Sequence, residues 1–103
     1  MLLFLVRHGQ SEFNLLGEEA GSDSPLTELG LQQAERVGAW LAQRGPFDAM
    51  YCSPLQRARQ TSEVIGRHTK GPAPDILGDL ALQHLAVIPI AQEFAVLHHD
   101  FAA

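Results

Sequence analysis

With 103 residues the chain is long enough for one modest domain that buries about two-thirds of its unfolded surface, and too short for two. A formal net charge of −5 with only seven Lys and Arg argues against nucleic-acid backbone binding, which depends on clustered cations. Cys52 is the single cysteine, so no intrachain disulfide can form, and the apolar start lacks a basic leader and runs straight into Arg7 and His8; a cytoplasmic protein with neither signal peptide nor membrane span is expected.

In chain order, Leu2-Leu3-Phe4-Leu5-Val6 is too short for a free-standing helix and suits a strand buried on both faces of a parallel sheet. Its C-terminal end carries Arg7 and His8, where open α/β sheets bind ligands. A guanidinium beside an imidazole there suits an anionic, phosphorylated substrate: the guanidinium forks onto phosphate oxygens while neutral imidazole attacks phosphorus. His8 is read as an exposed nucleophile, and Gly9 as the removal of a side chain that would block the ligand. Residues 10–24 are polar, acidic and glycine-bearing, with Phe13, Leu15 and Leu16 as anchors, and read as a loop over the crevice mouth.

Thr27 is the expected N-cap of an amphipathic helix whose stripe is Leu31, Ala34, Val37, Gly38 and Leu41, ended by Gly45-Pro46. Residues 47–52 then form a second strand. Ser53 with Gln56 reads as a capping box, with Pro54 at the first helical position. Leu55, Ala58, Ser62 and Ile65 make the buried stripe of this helix, and residues 66–71 end it. Arg57 would lie one turn in, close to the positive end of the dipole and to free N–H donors, facing the same crevice as Arg7 if the two strands are parallel. Arg59 on another face, His68 near the helix C-terminus and Cys52 as a small buried hydrophobe take structural roles.

Three stretches, residues 6–14, 23–30 and 52–61, carry the ordered motifs Val6-Arg7-His8-Gly9-Gln10-Ser11-Glu12-Phe13-Asn14, Asp23-Ser24-Pro25-Leu26-Thr27-Glu28-Leu29-Gly30 and Cys52-Ser53-Pro54-Leu55-Gln56-Arg57-Ala58-Arg59-Gln60-Thr61. Together they resemble the histidine phosphatase superfamily, the phosphoglycerate-mutase-like proteins. The resemblance implies an α/β fold, a three-layer α/β/α domain with a mainly parallel central sheet, incomplete here relative to the family. It implies a single domain over residues 1–103, in which residues 1–70 bear the motifs and residues 71–103 form a divergent tail. It implies a phosphohistidine intermediate, a small phosphorylated substrate, and no metal or organic cofactor. Carried over by position, His8 is the nucleophile, Arg7 and Arg57 clamp the phosphate, and Asn14 donates to the phosphoryl group.

The tail departs from this pattern and looks like a truncated or shortened member, with fragment and minimal variant both open. Family members carry a general-acid Glu shortly after the second helix and strand, then a second His followed by Gly at the end of a late strand. His84 falls near the acid's position. Pro89 demotes residues 86–91 from a central strand. Residues 94–100 resemble the late strand, with His98 as the second histidine; His98 and His99, adjacent on a strand, point to opposite faces and do not suit a shared metal ion. The expected function is phosphomonoester hydrolysis through His8. Alternatives are a phosphoglycerate-mutase-type isomerase, for which no insertion retaining the donor product is visible, or a non-catalytic phosphate-binding remnant that lacks the acid.

Overall fold

The computed structural model describes residues 2–21, 23–76 and 94–99. Strand β1 (Leu2–Arg7) leads through α1 (Glu12–Leu16) and a 3-10 turn (Gly17–Ala20) to α2 (Glu28–Ala42), β2 (Ala49–Cys52), α3 (Gln56–Thr69), β3 (Asp75–Ile76) and β4 (Phe94–His99). The strands form one sheet in the order β1-β4-β2-β3. β2 and β3 are parallel, and β4 runs antiparallel to both β1 and β2. The first three strands therefore share one direction, and β4 is the exception to the mainly parallel sheet. Because β1 and β2 point the same way, Arg7 and Cys52 end at the same edge, opposite Phe94 and Ala95 of β4.

Strand alternation sorts the side chains. Phe4 and Val6 from β1 and Met50 and Cys52 from β2 meet Val37 and Leu41 of α2, Ile65 of α3 and Phe47. Phe4 packs edge-on against Phe47 and Trp40, at centroid distances of 5.5 and 6.2 Å. Leu5, on the other face, is 49% exposed. Both long helices thus cover one face, and the described residues do not build a second helical layer.

The two helices lie close because Gly38 faces the His68 ring, which a Cβ at position 38 would meet at 2.6 Å. Above that contact His68 Nε2 is 2.6 Å from Glu35 Oε2, and Arg67 stands 3.6 Å from the same carboxylate. The His68 hydrogen bond, with further electrostatic help from His68 and Arg67, lowers the Glu35 pKa from its ordinary value. His68 is therefore a clasp between helices rather than only a partner of the dipole.

Several predicted boundaries move, each for a visible reason. Residues 10–24 are not simply a loop: Ser11 and Asn14 form a capping box that starts α1. Thr27 does cap α2, accepting from Gly30 N at 3.1 Å, but Leu31 is 39% exposed and Gly30 is buried in its place. α2 stops at Ala42, short of Gly45-Pro46, where Arg44 donates to the Trp40 carbonyl at 2.9 Å and stacks 3.4 Å over the Trp40 ring. Ser53 does not cap α3; its Oγ accepts from Leu55 N at 3.1 Å in a turn that holds Pro54, and the helix starts at Gln56. α3 passes through Gly66 to Thr69 and is closed by Lys70 in the left-handed conformation, with its N–H on the Gly66 carbonyl at 2.9 Å. Among the described residues no helix is long and apolar enough to cross a membrane.

Candidate active site

His8 follows the last residue of β1. It is 6% exposed, so the imidazole is buried rather than exposed at the strand end. Its Nδ1 lies 2.6 Å from the Gly9 carbonyl oxygen. A carbonyl only accepts, so Nδ1 carries a proton and donates it to Gly9. The sequence assigned Gly9 to ligand access; the structure gives a different reason. A Cβ on Gly9 would collide with the Gly30 backbone, and one on Gly30 with the Gln10 backbone, so the loop after β1 rests directly on the first turn of α2. Thr27 N donates to the Gln10 carbonyl at 2.9 Å and Gln10 N to Gln33 Oε1 at 2.8 Å, tying down the same loop.

Arg57 is the second residue of α3, nearer the helix start than predicted, and is 8% exposed. Its guanidinium carbon lies 5.4 Å from the centroid of the Phe13 ring. A permanent positive charge held out of bulk water makes its surroundings favourable to an anion. The helix N-terminus itself is not left open for a ligand: Gln56 N donates to Asp23 Oδ1 at 2.6 Å, while Ala58 N and Arg59 N turn back to the Leu55 carbonyl at 3.0 Å. A carboxylate from the loop thus takes the place expected for substrate phosphate at the first amide. Gln60 Oε1 accepts from Leu26 N at 2.7 Å and fixes the loop to α3 from a second point.

One turn beyond Arg57, Thr61 is 1% exposed. Its Oγ1 accepts from Gly9 N–H at 3.2 Å and donates to the Arg57 carbonyl at 2.8 Å. Sequence reasoning passed over Thr61, Asp23 and Gly30. Only Thr61 left a usable trace, being four residues from Arg57 and hence on its helix face.

The remaining predicted site residues divide. Arg7 closes β1 with an exposed side chain. Asn14 is exposed, and its Oδ1 accepts from Ser11 N at 2.9 Å, so any contact with an anion would use its amide nitrogen. His98 is not brought to this edge. It pairs with Leu3, five positions before His8, which separates the two levels by roughly 16 Å of strand. The expected second histidine is displaced because β4 enters between β1 and β2 in the antiparallel sense, which carries its C-terminal end away from the crevice. His84 lies outside the described residues. Cys52 is 1% exposed, and burial raises its thiol pKa. Among the described residues no group of three or more His, Cys, Asp or Glu could hold a metal ion.

A histidine just after the first strand is thus linked, through Gly9 and Thr61, to the helix that follows β2. The chain belongs to the histidine phosphatase superfamily (branch 1), which it matches over residues 3–83. An adenosylcobalamin/alpha-ribazole phosphatase of Salmonella typhi is 44% identical over 72 residues, 67% of this chain and 35% of that protein. A 2,3-bisphosphoglycerate-dependent phosphoglycerate mutase of Methylorubrum extorquens (strain PA1) is 48% identical over 66 residues, 62% of this chain and 31% of that protein. Among solved structures, a mycobacterial glucosyl-3-phosphoglycerate phosphatase in complex with VO3 aligns with a TM-score of 0.64 at 28% identity, covering 78% of this chain and 38% of that one. The chain spans about a third of the length of these curated relatives.

Proposed function

We propose that this chain carries the phosphoryl-accepting site of a phosphatase acting on small phosphomonoesters. In the first step His8 Nε2 bonds to phosphorus as the ester P–O bond breaks, and the departing alkoxide takes up a proton. Arg57 and Arg7 stabilise charge on the equatorial oxygens, with the Asn14 amide nitrogen as a further donor. In the second step water attacks phosphorus, the N–P bond breaks, and inorganic phosphate leaves with the neutral imidazole restored. His84 is the proton donor in this reading.

The observation that carries the proposal is the His8 Nδ1–H bond to the Gly9 carbonyl, which supports a ring with Nε2 as its nucleophilic nitrogen. Relatives named as phosphatase and as mutase share the matched segment, and hydrolysis is preferred here because its second step asks only for water. A cytoplasmic setting belongs to the same reading.

The test compares p-nitrophenyl phosphate with glycerol phosphate in the parent, His8→Asn and His84→Gln. Asparagine retains a donor near the Nδ1 position while removing the nucleophile. His8→Asn is expected to lower p-nitrophenyl phosphate turnover by about 10³-fold or more. His84→Gln is expected to spare the good leaving group and to lower glycerol phosphate turnover by about 10²–10⁴-fold. An unchanged rate in His8→Asn would remove His8 from the chemistry.

A further inference from the structure

We infer that Thr61 is a positioning residue of this site: its hydroxyl sets the nucleophile's loop against the helix that carries the phosphate-binding arginine. The inference rests on the roles given above to His8 and Arg57. A hydroxyl has one proton and two lone pairs, so Thr61 Oγ1 can accept from Gly9 N–H at 3.2 Å while donating to the Arg57 carbonyl at 2.8 Å. Neither bond can run the other way, because an amide N–H only donates and a carbonyl only accepts. The same Gly9 accepts the His8 Nδ1 proton on its carbonyl. Three hydrogen bonds therefore run in series from the imidazole, through one glycine and one hydroxyl, to the backbone of Arg57.

A threonine that merely satisfied its own hydroxyl would need only the bond back into its helix. The second bond instead spans 52 positions of sequence and is buried. It also acts where the loop has little freedom, since the Gly30 backbone presses on Gly9 from α2. Gly9 is thus held by close packing from one helix and by Thr61 from the other. In-line transfer requires Nε2 to be aligned with a phosphorus held by Arg57, and a displacement of about 1 Å can lower such a rate by about 10²-fold. Ground-state attraction of an anion to Arg57 depends far less on that alignment.

Thr61→Val keeps the branched shape and removes the hydroxyl; Thr61→Ser keeps the hydroxyl and removes the methyl. With p-nitrophenyl phosphate and the full chain, Thr61→Val is expected to lower kcat by about 10–10²-fold, within the range for lost alignment. KM and inhibition by inorganic phosphate should stay within about threefold, and Thr61→Ser should keep kcat within about threefold. If packing alone mattered, Thr61→Ser would be hurt at least as much as Thr61→Val, and that result overturns the inference.

A second measurement does not depend on turnover. Nitrogen NMR of the His8 ring should show the Nδ1–H tautomer in the parent and in Thr61→Ser, and a mixture of tautomers in Thr61→Val. Should Thr61→Val not fold, Thr61→Ala serves as the hydroxyl-free variant. A parent without turnover would count against the catalytic reading, whereas identical ring tautomers in all variants would overturn the role of Thr61.

Discussion

Arg57 shows how much a single position can carry. It sits at the second residue of α3 at 8% exposure, with the Phe13 ring beside it, so its charge is fixed in place and not free to swing into solvent. Lysine at this position would present a compact, strongly hydrated ammonium where a planar fork is wanted. Arg57→Lys is expected to weaken inorganic phosphate binding by about 1–2 kcal/mol, roughly 5–30-fold in Kd, although the charge is conserved. Titration calorimetry checks this, and equal affinities would show that Arg57 does not touch the anion. The motif in the sequence was enough to single out this arginine. Its burial was not readable, because it depends on Phe13 arriving from α1, a helix whose Ser11–Asn14 capping box was overlooked.

Between elements the decisive contacts are backbone to backbone. The loop after β1 meets α2 at Gly9 and Gly30, where neither position has room for a Cβ. Gly9→Ala should therefore force the loop off the helix and destabilise the fold by about 1–3 kcal/mol, the range for overpacking, read as a lower denaturant midpoint. A substitution that leaves the midpoint unchanged would mean that the two segments are not in contact. The start of α3 depends on a residue more than thirty positions earlier, since the carboxylate of Asp23 accepts from Gln56 N. Asp23→Ala should lower stability by about 0.5–2 kcal/mol, as the loss of an N-cap does, and Asp23→Asn should recover most of it. Sequence rules look for a cap next to the helix it serves. They selected Ser53, which is adjacent, and could not find Asp23, which is adjacent only in space.

Across the whole molecule, α2 and α3 are joined at their solvent side by Glu35, His68 and Arg67. Glu35 has its folded-state pKa lowered from the ordinary 4.5, chiefly by the hydrogen bond with His68. A lowered carboxyl pKa contributes stability that is present above the unfolded value and is lost as pH falls through the folded one. The stability difference between the parent and Glu35→Gln should therefore be present at about pH 5 and shrink toward zero as acid protonates Glu35. Denaturant midpoints between pH 2 and pH 6 give the test, and a difference that persists at the acid end would show that the carboxylate's charge is not what the clasp uses. The pair is solvent-exposed, so the effect is small and should weaken with salt.

Local chemistry determined a good share of this protein. The apolar run leading to Arg7-His8 is a strand with those two residues at its C-terminal edge, Thr27 caps the helix it precedes, and the spacing of Ala34, Gly38 and Leu41 describes the buried side of α2. Those features are legible because each is decided by residues within one or two turns of each other. Where the chain closes on itself, tertiary structure decided instead. It set the imidazole proton through the Gly9 carbonyl, brought Asp23 to the start of α3, pressed Gly9 onto Gly30, and ran β4 antiparallel so that His98 lies away from His8. The physical reason is common to all four. A hydrogen bond or a close contact between distant segments depends on how the elements are placed in space, and strand direction depends on which neighbour a strand joins, neither of which is encoded in the spacing of nearby residues.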